Sequence, residues 1–101
     1  MSTEISVDYV WIPRSAGGHR SPPYNGFRAT IRWQRYIRDH MERSRDVEGI
    51  ALTYDSETRC GTATLRLVSD DALPAHWLEE GNLVELLDGY TVIAIGRIVA
   101  P

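Results

Sequence analysis

The sequence has no lysine and only one cysteine among its 101 residues. A single cysteine cannot form an internal disulfide, so packing alone has to stabilise the fold. Apolar runs are short: the longest, Tyr90–Val99, is about half of the roughly 20 residues that a membrane-spanning helix needs. The sequence also does not open with a basic, apolar and small-residue leader. We therefore expect a cytoplasmic protein with no membrane partner.

Patterns typical of catalytic, metal and cofactor sites are also lacking. Zinc sites need clustered ligands, but the candidate ligands are scattered singly: Cys60, His19, His40 and His76. Neither a lysine nor a helical pattern follows Gly17-Gly18, so this pair does not fit the phosphate-binding loop of nucleotide hydrolases. Adjacent carboxylates such as Glu79-Glu80 point to opposite sides of an extended chain, which is poor geometry for shared acid–base work. The sequence predicts a protein that is not an enzyme, with no catalytic residues, no metal and no cofactor.

Charge is distributed unevenly along the chain. The net charge is −3, but residues 1–47 carry +3 and residues 48–101 carry −6, and every basic residue is an arginine. Arginine binds phosphate and carboxylate groups through two parallel hydrogen bonds, so an arginine-lined binding face is one interpretation. A solvated, arginine-rich surface without a specific role is the other. The negative total argues mildly against nucleic acid as the main partner.

Alternation of apolar and polar residues predicts a β protein. It is clearest over residues 27–34, where Phe27, Ile31 and Trp33 fall on one face and arginines on the other. The Asp88-Gly89 pair between two apolar runs is a strong hairpin signal. The predicted strands cover Glu4–Ile12, Phe27–Gln34, Gly49–Tyr54, Thr62–Val68, Asn82–Leu87 and Tyr90–Val99. We expect one all-β domain over residues 1–101, built as a sandwich or a small barrel.

Three segments between these strands are predicted to lie at the surface. Arg14–Gly26 is rich in glycine, proline and serine, which is typical of a loop. Arg38–Glu48 is strongly charged and has no apolar stripe, so an exposed loop is favoured over a helix. Asp70–Gly81 is a connection with about one helical turn near Ala75–Leu78. Within it, Trp77 either plugs one end of the barrel or projects outward to anchor a partner.

Two stretches resemble a known family. Residues 9–34 contain an aromatic-aliphatic strand, a Gly-Gly-basic-basic-hydroxyl loop, a Pro-aromatic pair and a Gly-aromatic-Arg start of the next strand. These elements are Val10-Trp11-Ile12, Gly17-Gly18-His19-Arg20-Ser21, Pro22-Pro23-Tyr24 and Gly26-Phe27-Arg28. Gly81–Val99 contains an acid-Gly hairpin turn and a late strand glycine, Gly96. In this order the elements resemble the third, C-terminal β-barrel domain of bacterial elongation factor Tu, whereas Tyr36–Leu78 departs from that pattern.

The resemblance implies a six-stranded antiparallel closed barrel with no activity of its own. In the full factor this domain packs against the GTPase domain and touches the T-stem of aminoacyl-tRNA. Matched position by position, the tRNA-contact sites fall at Thr30, Asp88 and Gly89. Of these, Asp88 and Gly89 keep the chemistry of the family.

Two kinds of binding function follow. The first is a module that docks on a protein partner, with candidate residues Arg14, His19, Arg20, Tyr24, Arg38 and Trp77. An immunity protein that neutralises a basic toxin would be one form of it. The second is an RNA-binding module, possible partner tRNA, with candidate residues Arg28, Thr30, Arg32, Asp88 and Gly89. A small ligand inside the barrel is not expected, because its own side chains fill a barrel of this size.

Overall fold

Six antiparallel strands close on themselves in the order β1-β4-β3-β2-β5-β6, with β6 paired to β1. The computed structural model describes residues 3–36, 38, 45–69 and 73–100. The strands are β1 Glu4–Trp11, β2 Arg28–Trp33, β3 Arg45–Leu52, β4 Cys60–Leu67, β5 Leu83–Asp88 and β6 Thr91–Ile98. The prediction of an all-β, six-stranded antiparallel closed barrel is confirmed.

The barrel has two distinct ends. One end, which we call the loop end, carries the β1–β2 loop (residues 12–27), the β3–β4 turn (residues 53–59) and the β5–β6 turn (residues 89–90). The opposite end, the Trp77 end, carries residues 34–36 after β2 and the 3-10 turn Ala75–Leu78 before β5. Because the strands are antiparallel neighbours, every connection lies at one end or the other.

The interior consists of inward-facing strand residues. Alternation places Ile5, Val7, Tyr9 and Trp11 of β1 inside, as the sequence predicts. The same holds for β2, in which Ile31 and Trp33 are fully buried. The described core consists of Ile5, Val7, Tyr9, Trp11, Phe27, Ala29, Ile31, Trp33, Val47, Ala63, Leu65, Leu67, Trp77, Val84, Leu86, Ile93, Ala94 and Ile98.

The start of β3 corrects one prediction. Residues 45–48 are part of a strand paired with β2, so the exposed loop predicted over Arg38–Glu48 is wrong for these four residues. Arg38 itself is exposed, and residues 39–44 lie outside the described part of the chain. The inward positions here are Arg45, Val47 and Gly49, all buried. Because two of these inward residues are an arginine and a glycine, the sequence does not alternate between apolar and polar residues here, and the strand could not be recognised from hydrophobicity.

The β5–β6 hairpin is present but its turn is displaced by one residue. Asp88 pairs with Thr91, so the two-residue loop is Gly89-Tyr90 and not Asp88-Gly89. Gly89 has φ +63°, whereas Tyr90 is not among the residues with positive φ. Glycine at the first position of such a loop is the type II′ pattern, which matches the twist of the two strands. Asp88 therefore ends β5 and presents its carboxylate at the loop end.

Aromatic rings fill the Trp77 end. The Trp77 side chain is buried, with only 6% of the residue exposed, and its ring stacks on Tyr36 at 5.6 Å and 7° between planes. Trp33 lies beneath it at 5.1 Å and donates its indole N–H to the Trp77 carbonyl oxygen at 2.8 Å. The predicted helical turn at Ala75–Leu78 is confirmed as a 3-10 turn. Trp77 plugs the barrel, and the alternative of a projecting partner anchor is wrong.

The buried Tyr9 makes the stability of the barrel sensitive to alkaline pH. Its hydroxyl donates to the Thr53 carbonyl oxygen at 2.7 Å. Burial, with a smaller contribution from Tyr54, raises the pKa of Tyr9 to about 12 from 10.0. The folded protein therefore keeps this proton to a higher pH than the unfolded chain does. The contribution of protonated Tyr9 to the free energy of unfolding is fully present below pH ~10 and is lost as the pH rises toward ~12.

Between pH ~8 and ~11.5 we expect Tyr9 to contribute an alkaline loss of up to about 2 kcal/mol in the wild type, which is missing in Tyr9→Phe because this variant has no hydroxyl to ionise. Urea unfolding of both proteins at pH ~8 and ~11.5 measures the difference. Tyr90→Phe is the matched control, because Tyr90 is fully exposed and should behave as the wild type. An alkaline loss in Tyr9→Phe equal to that of the wild type would contradict the assignment.

Candidate docking surface

Trp11 fixes the β1–β2 loop to the barrel. Its indole N–H donates to the carbonyl oxygen of Ser21 at 3.0 Å. Its ring lies 5.6 Å from the ring of His19 and 5.7 Å from that of Phe27, measured between centroids. Trp11 is only 3% exposed, so a core residue determines where the far half of the loop lies.

Backbone hydrogen bonds fold the first half of the loop back along the end of β1. The N–H groups of Gly18 and His19 donate to the carbonyl oxygens of Pro13 and Ile12, both at 2.9 Å. The Ile12 N–H donates in turn to Ile93 at 2.8 Å, where β6 has a bulge. Gly18 lies so close to Ile12 that a Cβ atom at this position would overlap the Ile12 carbonyl group. The position therefore requires a residue without a side chain.

His19 links this loop to the end of β5. Its Nδ1 atom accepts the backbone N–H of Ser21 at 3.2 Å, and its Nε2 atom lies 3.7 Å from Oδ2 of Asp88. The Nδ1 atom also lies 3.1 Å from the carbonyl oxygen of Ser21, so Ser21 surrounds this edge of the ring while the opposite edge faces the carboxylate. The imidazole thus bridges two elements that are far apart in sequence.

The same residues place a serine, a histidine and an aspartate in a row. Ser21 Oγ lies 3.0 Å from His19 Nδ1, yet that nitrogen already accepts the N–H of the same serine. The Asp88 side chain is 67% exposed, and its 3.7 Å separation from His19 exceeds the roughly 2.7 to 2.9 Å of a strong charge-assisted hydrogen bond. The arrangement holds the His19 ring between Ser21 and Asp88.

Three shallow clefts meet at Asp88. The first is lined by Arg14, His19, Arg20, Asp88 and Thr91 among others, and the second, the central one, by Trp11, His19, Tyr24, Arg28 and Asp88 among others. The third is lined by Arg28, Thr30, Asp46, Asp88 and Gly89 among others. Their volumes are about 360, 290 and 190 Å³, so only the first exceeds the lower end of the ~300–1,000 Å³ of small-molecule pockets, and only slightly. Open clefts of this size fit side chains of a macromolecular partner.

Three arginines at this surface have no ion pair with a described residue. Arg14, Arg20 and Arg28 are exposed, and none of them lies within 4.0 Å of a carboxylate of any described residue. On the barrel wall, by contrast, arginines pair with a neighbouring strand: Arg32 with Glu85 at 3.1 Å, Arg66 with Glu48 at 3.3 Å and Arg97 with Asp8 at 3.1 Å. The loop end therefore offers guanidinium groups that are available to a partner.

Negative charge lines the same clefts. Asp88 borders all three of them, and the exposed Asp46 borders the third. One Asp46 carboxylate oxygen accepts the Thr30 hydroxyl at 3.1 Å. The first cleft thus combines two arginines with one carboxylate, whereas the third combines Arg28 with two carboxylates.

The predicted partner-binding residues do not form one surface. Arg14, His19, Arg20 and Tyr24 come together around the clefts of the loop end. Arg38 follows β2 at the opposite end of the barrel and is exposed there. Trp77 is buried at that same opposite end. The first four residues remain candidates, whereas Trp77 is removed from the docking surface.

Most of the predicted RNA-binding residues converge at the same place. Arg28, Thr30, Asp88 and Gly89 line the third cleft, so the two candidate sets share one surface. Arg32 points outward from β2 as predicted, but its guanidinium pairs with Glu85. The continuous arginine-lined strand face is thus interrupted by a carboxylate.

One surface feature was not anticipated from the sequence. Val10, Leu83 and Ile95 are 40%, 52% and 43% exposed and border an apolar groove of about 300 Å³ on the barrel wall, next to the exposed Cys60. Alternation could have revealed it, since Val10 follows Ser6 and Asp8 on the outward face of β1. Asp46 was missed because it lies in the part of β3 that was predicted to be a loop.

Within residues 3–36, 38, 45–69 and 73–100, no three histidine, cysteine, aspartate or glutamate side chains come together in a way that could hold a metal ion. The same ranges contain no helix with the length and hydrophobicity of a membrane span.

The fold and this surface define the class of the molecule as a closed six-stranded antiparallel β-barrel with an open, mixed-charge surface at its loop end. No protein-family model matches the sequence, and no curated protein is similar to it at a significant level.

Proposed function

We propose that this protein is a non-catalytic binding module that docks on a protein partner through the loop end of its barrel. The observation that carries the proposal is the convergence of exposed groups of both signs on clefts that share Asp88. Arg14, Arg20 and Arg28 offer bidentate hydrogen-bond donors, and Tyr24, with 55% of its surface exposed, offers an aromatic contact. Tyrosine and arginine are the residue types enriched at the centres of protein interfaces.

The mixture of charges favours a protein over RNA. A nucleic acid presents a phosphate at every nucleotide, and its affinity depends mainly on neutralising those phosphates. Here Asp88 and Asp46 would lie against the same backbone as the arginines, and the chain as a whole carries −3. A protein surface can supply a cation where this surface is acidic and an anion where it is basic.

The resemblance to the C-terminal barrel domain of elongation factor Tu supports the same proposal. In that family the domain has no activity of its own and packs against another protein domain. We do not extend the proposal to an immunity protein for a basic toxin, which would require a mainly acidic face where this surface carries three arginines. We also propose a cytoplasmic location, because the exposed free thiol of Cys60 remains reduced there.

Affinity purification with an Arg14→Ala/Arg20→Ala double variant tests the docking surface. We expect the wild type to retain a partner from the source cells and the double variant to bind it about tenfold more weakly or worse. The physical reason is that hydrogen bonds to charged groups contribute about 1.5 to 3 kcal/mol each. The retained protein is identified by mass spectrometry, purified, and titrated against both forms by calorimetry.

Arg38→Ala is the matched control, since it removes an exposed arginine at the opposite end of the barrel and should leave the affinity unchanged. Equal retention by the wild type and the double variant would reject the loop end as the docking surface. Binding of tRNA that weakens a hundredfold or more from about 50 to 200 mM salt, with no protein retained, would establish the RNA alternative instead.

A further inference from the structure

The charges of the loop end follow a spatial order. Arg14 and Arg20 line the first cleft together with Thr91. Asp88 stands at the junction of the clefts, with its side chain 67% exposed. Beyond it, Asp46 borders the third cleft, into which Arg28 also projects. The surface is therefore basic on the side of the β1–β2 loop and predominantly acidic on the side of β3 and β5.

From this order we infer that the docking surface takes a mixed-charge protein segment, whose acidic side chains meet Arg14 and Arg20 and whose basic side chain meets Asp88 and Asp46. This inference rests on the proposed function, and it adds the chemistry of the segment that the partner presents. A purely acidic segment would pair with the arginines but would place like charges beside Asp88. A purely basic segment would pair with Asp88 and Asp46 but would place like charges beside Arg14 and Arg20.

The existing contacts leave these groups available. His19 approaches only one oxygen of Asp88, at 3.7 Å, so the carboxylate has acceptor capacity for an ammonium or guanidinium group. Asp46 accepts one hydrogen bond, from Thr30, and can accept more. The Tyr24 ring packs edge-on against Phe27 at 6.4 Å and borders the central cleft, where it can contact the apolar part of the bound segment.

Fluorescence anisotropy with three labelled peptides of equal length tests the charge order. One peptide carries glutamates in its first half and lysines in its second half, one carries only glutamates, and one carries only lysines. We expect the wild type to bind the mixed peptide about threefold more tightly than either of the others, a ratio typical of exposed ion pairs. An RNA oligonucleotide of matched charge, as a polyanion, should bind no better than the glutamate peptide.

Two variants should each remove the preference for the mixed peptide, one over the glutamate peptide and the other over the lysine peptide. Asp88→Asn should bring the glutamate peptide up to the affinity of the mixed peptide, because the unfavourable carboxylate is neutral in this variant. The Arg14→Ala/Arg20→Ala double variant should instead bring the lysine peptide up to the affinity of the mixed one. Arg38→Ala, at the opposite end of the barrel, should keep the wild-type order of affinities.

Equal affinity of the wild type for all three peptides, or no binding of any, overturns the proposed charge order. So does an Asp88→Asn variant that keeps the full preference of the wild type. If the purified natural partner still loses affinity in the Arg14→Ala/Arg20→Ala variant, the docking function stands and only the charge order is wrong. If that affinity is also unchanged, the proposed function fails with it.

Discussion

Trp33→Ala is expected to lower the free energy of unfolding by about 3 to 5 kcal/mol, the range for truncating a large buried aromatic side chain. Trp33 has no exposed surface and lies beneath Trp77, with 5.1 Å between the ring centroids. Its removal leaves a cavity under the plug and takes away the indole N–H that donates to the Trp77 carbonyl oxygen. Urea unfolding with an unchanged m-value measures the loss directly.

Trp33→Phe separates the contribution of the buried ring to stability from that of the indole hydrogen bond. It keeps most of the buried area, and the Trp77 carbonyl oxygen still accepts the Asn82 side-chain amide at 3.1 Å, so the expected cost is about 1 to 2 kcal/mol. Because Trp33 lies at the end of the barrel opposite the clefts, the folded fraction of either variant should keep wild-type affinity for the partner. A loss below about 1 kcal/mol for Trp33→Ala would show that the plug adds little to the stability of the barrel.

Gly18→Ala is expected to displace the β1–β2 loop and to weaken binding of the partner about tenfold. An added Cβ would overlap the Ile12 carbonyl group, which accepts the His19 N–H at 2.9 Å. The overlap can be relieved only by moving backbone, at a cost of about 1 to 3 kcal/mol. That movement carries His19 and Arg20 away from Asp88. Calorimetric titration with the partner and urea unfolding report the two effects separately.

Ser15→Ala is the control for this variant, since Ser15 is an exposed residue of the same loop and its substitution should change neither quantity. Wild-type affinity in Gly18→Ala would contradict the prediction, because it would mean that the loop can move without disturbing the docking surface.

The strand pattern of the sequence was sufficient to predict an all-β domain of six strands, whereas the choice of a closed barrel over a sandwich came from the family resemblance. Residues 27–34 show why: their apolar side chains all point inward and the intervening polar ones outward, so burial and spacing agree. The pattern failed where inward positions are not apolar. At the start of β3 the inward residues include Arg45 and Gly49, so no alternation of hydrophobicity was visible there.

The sequence predicted the tight β5–β6 turn and its glycine, but it placed the two loop residues one position too early. The glycine of the β5–β6 turn was identified correctly, yet the pairing of Asp88 with Thr91 makes Tyr90 the second loop residue. Cross-strand pairing and the bulge at Ile93 set this register, and both depend on residues outside the turn. The shift matters for the proposed docking surface, because it leaves Asp88 at the end of β5, beside His19.

The sequence by itself determined that this chain forms six β-strands and that Trp11 and Trp33 lie in its core, because period-two alternation is a local property of each strand. It also identified most of the groups that could contact a partner. Only the tertiary structure decided which of them are neighbours: barrel closure brings Arg14 and Asp88, far apart in sequence, to one end, and sends Arg38 to the other. It also decided the burial of Trp77, which depends on rings from another part of the chain and has no local pattern to reveal it.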